Sequence, residues 1–286
     1  MRIWDAYTKR MEPEIASTKN ALSVPISIIV AGLLIAGAIF LSRGTTNLDT
    51  KRGAVPPNTK TATLQDMNIR PLTEKDHIKG NPNATILIFE YSDTECPFCK
   101  VFHKTMQDLI DAYGKSGEVA WIYRHFPLTQ IHPKAVQEAE ALECAGELGG
   151  NGKFWEYAEE IFRVTPSNNG LDLAELPKIA ERIKLEKIAF QSCLDSERKL
   201  TLVQEDLNEA VQAGGNGTPF NILVLREVLS KDDQKKLLEI NQEILSQLPA
   251  NSPDPIVIAS DKKKVSIGGA FQLPLMKEII DLLLKE

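Results

Sequence analysis

Two short apolar runs frame a Cys-Pro-Phe-Cys motif, and that arrangement restricts the fold more than any other feature of the chain. The first run, ATILIFEY at 84–91, is bounded by Asn81-Pro82 and Ser92-Asp93, so it reads as a buried strand. The motif follows at 96–99 and opens a stretch in which Val101, Phe102, Met106, Leu109, Ile110 and Tyr113 recur at helical spacing. Pro97 suits the first turn of that helix, because its missing N–H would be unpaired there anyway. Gly117 ends the stretch and VAWIYRHF at 119–126 reads as a second strand. Strand, helix and strand within about 45 residues make a βαβ unit, and so an α/β fold.

The position of the cysteines points to thiol chemistry. A cysteine at a helix N-terminus faces unpaired backbone N–H groups and the positive end of the helix dipole. Both favour thiolate over thiol, and Cys-x-x-Cys thiols in such settings have pKa values of roughly 3.5–7.5. Cys96 and Cys99 can also close a disulfide and reopen it, so the chain reads as a dithiol–disulfide redox protein. One Cys-x-x-Cys plus the separate Cys144 and Cys193 is poor zinc spacing, and no metal site is expected. Glu90 lies six residues before Cys96 inside an apolar strand, where a charge is costly unless paired or protonated. Arg124 in the next strand is its expected partner, in either a proton relay or a purely structural pair. His103, His125 and His132 are read as surface or packing residues.

Val24 to Leu41 is almost uninterrupted apolar sequence; as a helix it would span roughly 27 Å, close to the hydrocarbon thickness of a bilayer. It is read as an uncleaved transmembrane anchor, with a cytoplasmic tail at 1–23 and a polar linker at 42–75. Basic residues flank the span almost evenly, so its orientation is argued from the chemistry: disulfides persist outside the cytoplasm. A net charge of −6 gives no support for nucleic acid as a partner. The domain at 76–286 continues with helical segments at 133–149, 153–164, 171–184, 186–195 and 197–213, an insertion of about 133–214. A strand at 220–225, a helix at 230–248, a hairpin around 261–264 and a closing helix at 273–284 complete it.

This order resembles the DsbA-like branch of the thioredoxin fold. YSDTECPFCKVFH, YRHFPLTQIHPKA, ALECAGELGGNGKFWEYAEEIF, FQSCLDS and GTPF at 217–220 are each similar to segments of that family. The resemblance implies a thioredoxin fold with a large helical insertion, Cys96 as exposed nucleophile and Cys99 as its buried partner. It implies a cis Pro219 facing the pair, with Thr218 offering its backbone to an extended substrate. An acidic residue at the place of Glu90 can, in the family, move the proton of the buried thiol. Cys144 and Cys193 stand where relatives carry a second disulfide; two buried free thiols are the alternative. Phe98 replaces the histidine that many relatives place between the cysteines, which implies a milder oxidant. The stretch of roughly thirty residues at 226–255 departs from the pattern and is read as a helix that packs on its own domain or docks a partner.

The implied activity is a membrane-anchored, single-pass, extracytoplasmic oxidoreductase that donates disulfides to exported proteins with free thiols. It would use no cofactor, act as a monomer and be reoxidised by a membrane redox partner. The alternatives are a reductase or isomerase on the same fold, or a tethered, non-enzymatic chaperone-like or docking module.

Overall fold

A computed structural model describes residues 66–285, and the anchor expected at 24–41 lies outside them. Among the described residues no helix is long and apolar enough to cross a membrane. The strands are β1 (His77–Lys79), β2 (Ile86–Ser92), β3 (Val119–His125), β4 (Phe220–Leu225), β5 (Ile256–Ile258) and β6 (Lys264–Gly268). They form one mixed sheet in the order β1-β3-β2-β4-β6-β5. β2 runs parallel to β3 and antiparallel to β4, so the strand leading to the cysteines is central. The helices are α1 (Pro97–Tyr113), α2 (Ala135–Val164), α3 (Leu176–Arg182), α4 (Lys187–Asp195), α5 (Leu200–Gln212), α6 (Lys231–Leu245) and α7 (Leu273–Leu283).

Alternation along β2 divides the core in two. Ile86 and Ile88 point to one face, where Cys99, Phe102, Met106 and Leu109 of α1 pack with Met276 and Ile280 of α7. The 3-4-3 spacing of those α1 residues puts them on one side of the helix. Burying each of the larger ones contributes about 1.5–3 kcal/mol. Phe89 and Tyr91 point to the other face, against Ile122, Ile222 and Ala210 of α5.

Three expectations need correction. The linker does not reach residue 75: Met67 is buried among Phe89, Tyr91 and Ile122, because its isolated apolar side chain finds the open face of the sheet. His77–Lys79 then adds an antiparallel edge strand to β3 that is too short to show periodicity. The segments expected at 133–149 and 153–164 are met, because the helical path of α2 is interrupted at Gly150, whose φ of 75° is a conformation that favours glycine. Finally, the helix expected at 230–248 ends at Leu245, and Leu248 is exposed beyond it.

That 226–255 stretch packs on its own domain. Ser230 caps α6 by accepting from the Asp233 N–H. Leu237 is fully buried, and Asn241 Oδ1 accepts from the Ile256 N–H at 3.0 Å while its Nδ2 donates to Asp254 at 2.9 Å.

Candidate active site

The turn between β2 and α1 is built by Asp93. Its Oδ1 accepts from the Glu95 N–H (2.8 Å), and its Oδ2 accepts from the Leu128 N–H (2.8 Å) and lies 2.8 Å from His132 Nδ1. One buried carboxylate thereby fixes both loops beside the cysteines. Cys96 is the N-cap residue of α1, with extended backbone and Pro97 directly after it. Both cysteines are free thiols. Cys96, implied to be exposed, keeps only 4% of its surface, because the Thr218-Pro219 loop covers it; Cys99 keeps none. The Thr218–Pro219 peptide is cis, and the Cys96 thiol donates to the Thr218 carbonyl at 3.5 Å. Phe98 stands on the outside, 64% exposed.

The two thiols have opposite electrostatics. A hydrogen bond from Cys99 lowers Cys96 to about 6 against the cost of burial, helped by the Thr218 side chain and the backbone N–H groups of Cys99 and Phe98. Burial drives Cys99 well above the usual thiol range, and the nearby Cys96 and Glu90 reinforce the shift. The Asp93 N–H donates to Cys99 Sγ at 3.4 Å. At neutral pH the site can therefore hold a thiolate on Cys96 and a proton on Cys99.

Glu90 and Arg124 do not pair. Glu90 shares the Cys99 face of β2 with Ile86 and Ile88, and sits opposite Tyr123 in the ladder. Arg124 is opposite Tyr91, one position on, so alternation turns its side chain to the other face of the sheet. There it donates to Asp76 (2.8 Å) and to Glu209 of α5 (2.5 Å) and lies over the Phe89 ring. Neither Glu90 oxygen has a hydrogen-bond partner of normal geometry. Burial raises Glu90 to about 7, moderated by the neighbouring Ser92 hydroxyl and Trp121 indole.

None of the three histidines is a surface residue. His103 is buried against Trp121 and Phe162, and burial lowers it to about 3, so it is neutral. His125 lies 2.9 Å from Glu143, which His77 approaches from the other side at 3.3 Å. Burial pushes Glu143 up, but those two contacts outweigh it and hold the carboxyl at about 2. Sequence reasoning missed Asp93, Glu95 and Glu138. Glu95 and Glu138 are wholly buried side by side, and burial with the Glu95 contact raises Glu138 to about 9. Glu95 precedes Cys96 directly, which is the one hint the sequence offers. Cys144 of α2 and Cys193 of α4 form a disulfide with a Cα–Cα distance of 5.8 Å.

The family model described as Thioredoxin matches residues 72–240. Two solved structures are similar across 73% of this chain. They are DsbA2 of Pseudomonas aeruginosa (23% identity, 94% of that chain, TM-score 0.50) and alpha-DsbA1 of Wolbachia pipientis (23%, 90%, 0.54). BdbD from Bacillus subtilis matches 64% of this chain and 99% of its own, at 18% identity and a TM-score of 0.51. A curated relative from Salinispora tropica bears the name Na(+)/H(+) antiporter NhaA 3; it is 32% identical over 146 residues, 51% of this chain. The match spans 21% of that relative's length, and 24% for a Mycolicibacterium gilvum protein named NhaA 1, which is 30% identical over 152 residues. Its fold is similar to that of the DsbA structures, and with a family model covering more than half of the sequence the chain belongs to the thioredoxin family.

Proposed function

We propose that the chain is a membrane-anchored extracytoplasmic thiol–disulfide oxidoreductase that donates disulfides to exported proteins through Cys96–Cys99. The observation that carries this reading is the placement of the thiols: Cys96 caps α1 beside the cis Thr218–Pro219 peptide while Cys99 is fully buried, which lowers Cys96 and raises Cys99. A substrate thiolate attacks Cys96 Sγ, the Cys96–Cys99 bond breaks, and its electron pair goes to Cys99, which takes up a proton. The second substrate thiolate then attacks the substrate sulfur of the mixed disulfide, and Cys96 leaves as a thiolate. A low-pKa leaving group speeds that step, and a stabilised reduced form makes the protein an oxidant. Thr218, whose carbonyl lies 3.5 Å from Cys96 Sγ, would offer its backbone to the substrate, and the exposed Phe98 would give an apolar rim. The buried Cys144–Cys193 disulfide supports an oxidising compartment, and the 24–41 apolar run supports an anchor. Reoxidation would fall to a membrane redox partner, with no cofactor held by this chain.

The test is the equilibrium potential of Cys96–Cys99 in the detergent-solubilised full chain against glutathione. A value at or above about −180 mV is expected, whereas about −270 mV would make the protein a reductase. A pair that resists reduction in the folded protein would leave only the static docking module.

A further inference from the structure

Cys99 needs a proton as it leaves the disulfide, yet no hydrogen bond joins it to Glu90, the acid on its own side of the sheet. Glu90 reaches it only as a charge. The residue between them is Ser92. It lies two positions after Glu90 on the same face of β2, and the next residue, Asp93, donates its N–H to Cys99 Sγ at 3.4 Å. Its backbone is fixed by the ladder with β3 and by the Phe126 N–H, which donates to the Ser92 carbonyl at 2.8 Å. Its hydroxyl is not held by a partner. Ser92 is 2% exposed, and its Oγ makes no hydrogen bond of normal geometry.

A buried serine usually satisfies its hydroxyl locally, and an unsatisfied one costs about 1–3 kcal/mol. This hydroxyl instead sits close enough to Glu90, Cys99 and Tyr123 to offset part of the rise that burial imposes on each. Tyr123, opposite Glu90 in the ladder, has an equally unpartnered hydroxyl that burial holds in the protonated form. Other charges near the cluster are the Cys96 thiolate on α1 and Asp93 in the turn; His103 of α1 is neutral.

We propose that the Ser92 hydroxyl is the proton carrier between Glu90 and Cys99, rotating to donate to the leaving thiolate while it accepts from the protonated carboxyl. A hydroxyl suits the task because it donates and accepts at once. The step balances: as the Cys96–Cys99 bond breaks, Cys99 gains the Ser92 proton, Ser92 gains the Glu90 proton, and Glu90 is left as a carboxylate. When Cys99 later attacks to re-form a disulfide, the same path returns the proton to Glu90. This inference rests on the proposed exchange at Cys96–Cys99.

The test uses the full chain with Ser92→Ala and the near-isosteric pair Ser92→Thr and Ser92→Val. Reduction of the oxidised protein by a dithiol peptide is followed by stopped-flow across pH 5–9. Positioned proton transfer contributes roughly 10²–10⁴-fold, and Glu90 can still act through its field. Ser92→Ala and Ser92→Val should therefore be slower by about tenfold or more with a flattened pH profile, and Ser92→Thr should stay within about threefold of the parent. The equilibrium potential should hardly move, because the carrier serves both directions. Parent-like rates and pH profiles in Ser92→Val, with the parent's unfolding midpoint, would overturn the proposal. Equal slowing in Ser92→Thr and Ser92→Val would overturn it as well, by showing a packing effect. A parent protein that does not exchange at all would instead sink the proposed function.

Discussion

At the scale of single residues, the site depends on where each proton resides. Glu90 has a folded pKa of about 7 against 4.5 in the unfolded chain, so between those values the unfolded state releases a proton that the fold retains. Stability therefore falls as pH rises from about 4.5 to about 7. Glu90→Leu removes that loss and should stabilise the protein at pH 8 by on the order of 2–3 kcal/mol, with little gain at pH 4. Urea unfolding of parent and variant at the two pH values checks this; equal gains at both would refute a titrating Glu90. The acid itself was legible in the sequence as a charged residue in an apolar strand. Its pairing was misread, because the choice between Arg124 and solitude depends on which face of β3 the arginine occupies. Asp93 was legible only as a turn residue, since its ligands Leu128 and His132 come from a distant loop.

At the scale of elements, helix α1 and strand β2 carry the cysteines and the turn before them. The strand–motif–helix–strand unit was readable because each piece carries its own period and its own stop signal. β1 was not, since three residues carry no pattern and only the β3 edge selects them. The break inside the insertion was visible as glycines, and the helical path of α2 is interrupted at one of them, Gly150. The Cys144–Cys193 bond ties α2 to α4 across a separation of 49 residues. In the chain-entropy account a loop of that length contributes about 4 kcal/mol. Replacing both cysteines by alanine should lower unfolding stability by about 2–4 kcal/mol while the Cys96 thiolate still titrates near 6, as followed by absorbance at 240 nm. A shift of that titration upward by a full unit would show that the insertion tunes the site.

At the scale of the whole domain, the cysteines lie where the central strands β2 and β4 present their ends, with helices packed on both faces of the sheet. The 226–255 stretch is held by Asn241, which satisfies the buried Ile256 N–H. Asn241→Ala should cost about 1–3 kcal/mol by leaving that donor unpaired, and the exchange rate should stay unchanged. Thermal melts and peptide-oxidation rates on the same sample separate the two effects; a lost rate with an intact melt would assign the stretch to substrate docking.

The two faces of β2 have a further consequence. Glu90 and Arg124 are one rung apart in the ladder, yet the thickness of the sheet stands between their charged ends. The strand thus acts as an electrical partition. On one side an arginine is neutralised by Asp76 and Glu209, and on the other a carboxyl can stay uncharged near neutral pH, although its would-be counter-ion is the neighbour of its ladder partner. A one-residue slip of β3 would place them together, hold Glu90 ionised and remove the acid from the thiol chemistry. The register of a single strand pair therefore decides whether this dithiol has a proton at hand.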